Sequence, residues 1–316
     1  ASGGTIFISS GVYTNPITIT GKFINLVGLT NGARPVLFGA PVTYSAGFSN
    51  APGLLNYGPN AGGAVMNMMI LGGDTGIRGF SPSDGRSLPP CVTLSNVLVA
   101  NSMRGVAGAF TELNILKSAI VSAGLHNVSL VSSNAAAISF ADSFLGKSGS
   151  CGLRVTSYRP TNNPLSVMIT NTTYSGNGAA GAAMVGPISV QVFNSKFVGN
   201  GKVGFWCNDL ATTNNRFWNS MACDNDYGLV TARSGVIHVN LSEFTGNKTS
   251  AIVADTGPAG IQLGASTVMN NCNGVVIFNG SSYQVSWPNT ITNNTGEDFV
   301  TDGDLPVPGP PNIPQE

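Results

Sequence analysis

This sequence is short of charge. Only 9% of its 316 residues are charged, with 14 Lys or Arg against 14 Asp or Glu and a formal net charge of +0. An ordinary soluble domain carries roughly 25%. A nucleic-acid partner would leave a basic footprint, and there is none. The chain also lacks a long apolar run. The longest, such as 64–71, stop well short of the ~18 residues that suggest a membrane helix. The five cysteines (Cys91, Cys151, Cys207, Cys223 and Cys272) are odd in number and form no Cys-x-x-Cys pair. This argues against a disulfide framework or a zinc knuckle and reads best as buried apolar thiols, with a single disulfide left open. The two histidines, His126 and His238, lie far apart in sequence, show no convergent partners and are expected to be solvated or internally satisfied. Nothing calls for a cofactor.

The 42% hydrophobic content excludes disorder, and 316 residues can bury a large core. A chain rich in Asn, Ser, Thr and Gly but poor in Lys and Glu suits a secreted or cell-surface bacterial protein, with the periplasm as the alternative. The Ala1-Ser2-Gly3-Gly4 start reads as either a mature terminus left by cleavage or an artificial boundary.

From residue 92 a unit returns every 22 to 25 residues. Its core reads polar, any, apolar, two further residues and Asn, as in Ser195-Lys196-Phe197-Val198-Gly199-Asn200 and Ser242-Glu243-Phe244-Thr245-Gly246-Asn247. The Asn falls at 177, 200, 225, 247, 271 and 294, and weaker copies run from Asn96, Ser118 and Asp142. One longer step implies an insertion near Tyr158 to Asn163. Alternation such as Ile188-Ser189-Val190-Gln191-Val192 is strand spacing. About three short strands per unit, separated by Asn, Gly and Ser turns, predict an all-β chain: a single-stranded right-handed parallel β-helix of ~22–25-residue rungs. Stacking then predicts an inner apolar column of Leu98, Ile120, Phe144, Tyr174, Phe197, Ala222, Phe244, Val268 and Ile291. A polar column lies two residues earlier, and the repeated Asn is expected to be left-handed.

Gly3-Gly4-Thr5-Ile6-Phe7-Ile8, Gly11-Val12-Tyr13 and Ile24-Asn25-Leu26-Val27-Gly28 resemble the opening rungs of right-handed parallel β-helix proteins of the pectin-lyase-like superfamily. The repeat is similar to exported bacterial β-helix proteins of undefined function. The signature motifs of pectin methylesterases, polygalacturonases and pectate lyases are missing, so the resemblance carries over the fold and no catalytic residue. The expected organisation is a β-helix over 1–300 and a Pro-rich tail over 301–316. The β-helix would comprise first rungs at 1–40, loop-rich rungs at 41–91 and regular rungs at 92–300. The stretch from Gly72 to Pro90, with Asp74, Arg78, Asp84 and Arg86, reads as an excursion from a rung.

Candidate chemistry is sparse. Counting five from the residue after each Asn turn aligns Asp209, Arg233, Asp255 and Asn279. Asp209 and Asp255 would then form a carboxylate pair two rungs apart, or a charge ladder around Arg233. Trp206 beside Asp209 is a candidate glycan platform, or else packing. Asp224 and Asp226 flank Asn225 as a weak cation site, or else a turn. After each Asn turn both alternating sets are apolar, as in Leu229 and Val230, so the tail, the 72–90 excursion or a second subunit should cover that sheet. The leading expectation is a non-catalytic exported surface or matrix element that is structural or adhesive, with itself as partner through that sheet. The alternatives are a lyase or glycoside hydrolase acting on a neutral polysaccharide and a tailspike-like glycan binder.

Overall fold

The computed structural model describes residues 3–40, 53–80, 87–132, 137–210, 215–255, 257–278, 280–286 and 288–301. Among them there is no helix, and the strands fall into three parallel sheets, giving a β-solenoid of ~24 residues per turn. The chain divides into two compact units, Ala1–Thr156 and Ser157–Glu316. In the first unit, the first sheet runs Gly4–Ile8, Ile24–Gly28, Gly62–Met66, Cys91–Ser95, Glu112–Leu116, Ala137–Ala141. In the second unit it runs Leu165–Thr170, Ile188–Phe193, Asn215–Trp218, Gly235–Asn240, Ala259–Gly264, Ser282–Val285. Each turn then contributes a strand of about three residues to the second sheet, makes a tight bend, and contributes a longer strand to the third.

The short strands of the second sheet carry the predicted inner column in the second unit. Tyr174, Phe197, Ala222, Phe244 and Val268 pair in register and are fully buried. Tyr174 and Phe197 stack at 4.9 Å with planes 4° apart. Where Ala222 leaves the column thin, Phe217 enters from the first sheet, 5.6 Å from both Phe197 and Phe244. Burying each ring stabilises by roughly 1.5–3 kcal/mol. In the first unit Ile120 is buried in its predicted place, but on either side of it the column is shifted by one: its register partners Val99 and Leu145 are buried, while Leu98 and Phe144 turn partly outward. The polar ladder keeps Ser118 and takes Ser143 in place of Asp142, Val97 N–H donating to Ser118 Oγ and Ser118 N–H to Ser143 Oγ. Asn96 and Asp142 instead occupy left-handed turn positions. A two-residue period reads almost equally well in both frames, and the inner volume selects the one that buries Val99.

The repeated Asn builds a continuous ladder in the second unit. Asn177 receives Asn200 Oδ1 at both its N–H and its Nδ2, and the pattern continues through Asn225, Asn247, Asn271 and Asn294. The left-handed residue is not this Asn but the one before it: Gly176, Gly199, Asp224, Gly246, Asn270 and Asn293. That residue makes the bend, freeing the Asn side chain to point along the stack.

The predicted excursion at 72–90 is corrected in part. Thr75–Gly79 is a third-sheet strand, and Asp74 is buried, 3.9 Å from the guanidinium of Arg104. Asp84 and Arg86, like the tail from 302 on, lie outside the described residues. The inserted loop sits where the spacing places it, with Tyr158 73% exposed at the start of the second unit. All five cysteines are free.

Candidate active face

The post-turn sheet, which is the third, explains why both of its alternating sets are apolar. In the second unit Phe205, Leu229, Ile252 and Val275 face inward and are buried. Their outward neighbours are buried too: Val230 and Val253 are each 3% exposed and Trp206 is 8% exposed. The outward face is therefore closed within a single chain, and the apolar stripe that suggested a second subunit is not on the surface. Trp206 does not offer its ring to solvent.

Asp209 and Arg233 do stand together, with an N–O distance of 3.4 Å and both left-handed in φ. Their side chains are 41% and 67% exposed, and a bridge in that setting contributes little. Asp255 leaves the proposed column. Its N–H donates to the Thr231 carbonyl, and Ala254 pairs with Thr231, so Asp255 is level with Ala232 rather than Arg233. The cause lies in the preceding turn. Gly228 comes three residues after Asn225, whereas its register partner Ala251 comes four after Asn247. Asn279 lies outside the described residues. Asp224 is exposed, and Asp226 lies 3.6 Å from Lys248. Among the described residues no group of three or more His, Cys, Asp or Glu could hold a metal ion.

A different surface carries convergent side chains. On the first sheet of the second unit, Val190, Val192, Phe217, Ile237, Val239, Ile261 and Leu263 point inward. The residues between them point outward and stack in register. One outward row is Met168, Gln191, Arg216, His238, Gln262 and Gln284. The next is Thr170, Phe193, Trp218, Asn240 and Gly264. Arg216 and His238 are direct Cα partners, so they rise from strands ~4.8 Å apart. The Arg216 guanidinium lies 4.7 Å from the centre of the Trp218 ring, which meets Phe193 edge-on at 6.0 Å. These contacts hold a cation and an aromatic ring beside an imidazole on rigid strands. Reading each histidine in isolation missed this row. Its signal was a constant offset: Gln191, Arg216, His238 and Gln262 each precede the ladder serine (Ser195, Ser220, Ser242, Ser266) by four residues.

His126 is of another kind. It is buried, and its Nδ1 accepts the Cys151 N–H at 3.2 Å. Burial first, then the charges of Arg154 and Arg104, lowers its pKa to about 3.

Residues 95–268, more than half of the chain, match the family described as "Right handed beta helix region". The chain belongs to the right-handed β-helix family. No curated protein matches its sequence significantly. Among solved structures it is similar to a variant of the periplasmic alginate epimerase AlgG, with a TM-score of 0.69 and 10% identity, over 90% of this chain and 76% of that one. It is also similar to the A-module of the Azotobacter vinelandii mannuronan C-5 epimerase AlgE4, with a TM-score of 0.63 and 13% identity, over 96% and 90%. The catalytic unit of the GH87 alpha-1,3-glucanase from Streptomyces thermodiastaticus gives a TM-score of 0.51 and 11% identity, over 93% and 64%. At these identities the likeness is one of fold.

Proposed function

We propose that this chain is an exported polysaccharide-active β-helix protein that works on an acidic glycan at the outward face of the first sheet in its second unit. The observation that carries this reading is the register pairing of Arg216 with His238 beside Trp218. A guanidinium binds a carboxylate strongly and with geometry. An imidazole within reach can take a proton from the carbon next to that carboxylate and return one. The electron pair then moves into the carboxylate, where Arg216 stabilises the added charge. Inversion follows when solvent water, rather than the imidazolium, reprotonates the carbon from the other face. Alternatively the imidazolium of His238 gives its proton to the neighbouring glycosidic oxygen, which leaves as a hydroxyl and breaks the chain with a carbon–carbon double bond left behind. Hydrolysis is disfavoured here, because it needs two carboxylates and the described outward residues of this face include no Asp or Glu. Epimerases among the structural neighbours, one of them periplasmic, fit this reading and an exported location.

The test is to incubate the protein with alginate and with polygalacturonate in deuterated water, following deuterium uptake by NMR and unsaturated product by ultraviolet absorbance. Turnover on one of these polymers is expected, falling by at least about a hundredfold in His238→Ala, with Arg216→Ala losing affinity as well. Activity untouched by both substitutions, or no binding to any acidic polymer, overturns the proposal. The second outcome returns the chain to the non-catalytic surface-element reading.

A further inference from the structure

The first unit carries its own group on the outward face of the first sheet, and it has the opposite charge. Glu112 is half-buried there. Its Oε1 accepts from Asn114 Nδ2 at 2.8 Å, and its Oε2 accepts from the Cys91 thiol at 3.4 Å. Asn114 also donates to Thr93 Oγ1 at 3.5 Å and accepts from the Ser139 hydroxyl. Cys91 is the register partner of Glu112, and Thr93 and Ser139 are those of Asn114. Among the described residues no ion pair neutralises Glu112. Each carboxylate oxygen has received one donor and can accept another. At the other end of the Cys91–Glu112 row lies Gly62, and the ring of the preceding residue in that row, Phe23, is folded over it. A Cβ on Gly62 would fall 2.5 Å from Phe23 Cε1. Phe23 is 46% exposed.

An exposed aromatic ring, an unneutralised carboxylate, two hydroxyls and an amide thus share neighbouring rows on one face of the sheet. We infer that this patch is a second glycan site, built for an uncharged sugar with vicinal hydroxyls. Glu112 stands two strand spacings, ~9.6 Å, from the Gly62 beneath the Phe23 ring, so neighbouring sugars of one chain share the site: the hydroxyls of one donate to the open lone pairs of Glu112, and the apolar ring face of another rests on Phe23. A carboxylated sugar is repelled, because Glu112 brings negative charge and no cation answers it. This site is independent of Arg216 and His238.

The experiment uses the full chain and two uncharged probes, cellohexaose and mannohexaose, followed by calorimetry. At least one is expected to bind, and each of two substitutions is expected to weaken it by about tenfold or more: Glu112→Gln by removing a charge-assisted hydrogen bond, and Phe23→Ala by removing the apolar platform. Arg216→Ala leaves this binding unchanged. Cys91 supplies a local readout, since bound sugar slows its alkylation at alkaline pH, scored by peptide mass. Failure of both probes to bind, binding that survives both substitutions, or Cys91 alkylation unaffected by bound sugar overturns the inference. An acidic-polymer activity that depends on His238 while neither hexasaccharide binds would sink this site and leave the proposed function standing.

Discussion

At the scale of single residues, the asparagine ladder shows how a chain with so few charges satisfies its buried backbone. Asn225 is fully buried. It accepts from Asn200 N–H and Nδ2, and donates its own Nδ2 to the Phe197 carbonyl at 3.0 Å and to Asn247 Oδ1 at 3.2 Å. Asn225→Ala removes all of these at once and strands the Asn200 donors in a dry interior, where each buried unsatisfied group costs ~1–3 kcal/mol. We expect a loss of about 3 kcal/mol, read as a lower denaturant midpoint at unchanged slope. Substituting the flanking Asp226, half-exposed and, among the described residues, bridged to Lys248 alone, should move the midpoint by less than about 0.5 kcal/mol. If the two changes cost the same, the ladder is not a principal stabiliser of the bend.

At the scale of the strand, packing substitutes for a missing ring. Ala222 stands between Phe197 and Phe244 in the inner column, and Phe217 from the first sheet fills the gap. Phe217→Ala should cost ~3–5 kcal/mol and Ala222→Phe ~1–3 kcal/mol by overpacking. The double variant should cost measurably less than their sum, because the new ring occupies the space the old one left. Strict additivity in a double-mutant cycle would show that the two positions do not share a volume. His126 gives this scale a pH dependence. Its folded pKa is lowered to about 3 from 6.5, so below pH 6.5 the unfolded chain binds a proton that the folded chain does not. Its contribution is present above that value and is lost as pH falls toward 3, at up to ~1.4 kcal/mol per pH unit. His126→Asn keeps an acceptor for the Cys151 N–H but does not titrate. Its stability should therefore fall less steeply between pH 6.5 and 4 than that of the parent, and parallel curves would refute the assignment.

At the scale of the whole molecule, the architecture was legible because like residues stack on like. The Asn spacing and the inner apolar residues are one pattern repeated many times, so an error in any single rung is outvoted. The active face was not legible in the same way. Register decides it, and register depends on turn lengths that vary by one residue, as at Asn225 and Asn247. That single residue moved Asp255 out of line with Arg233, while the offset of four that aligns Arg216 with His238 went unread. The covered third sheet makes the corresponding molecular prediction. Val230 faces outward yet is 3% exposed in an isolated chain, in register with Trp206 and Val253. If the chain covers this face itself, Val230→Arg buries an unpaired charge and destabilises the monomer by about 3 kcal/mol or more, leaving its mass unchanged. If a second copy provides the cover instead, the parent protein sediments as a dimer and Val230→Arg yields a monomer of nearly parental stability. We expect the first result: one monomeric species for both proteins in analytical ultracentrifugation across a concentration series, with the variant unfolding at markedly lower denaturant. A dimer that the substitution dissociates would restore self-association through this sheet as part of the protein's biology.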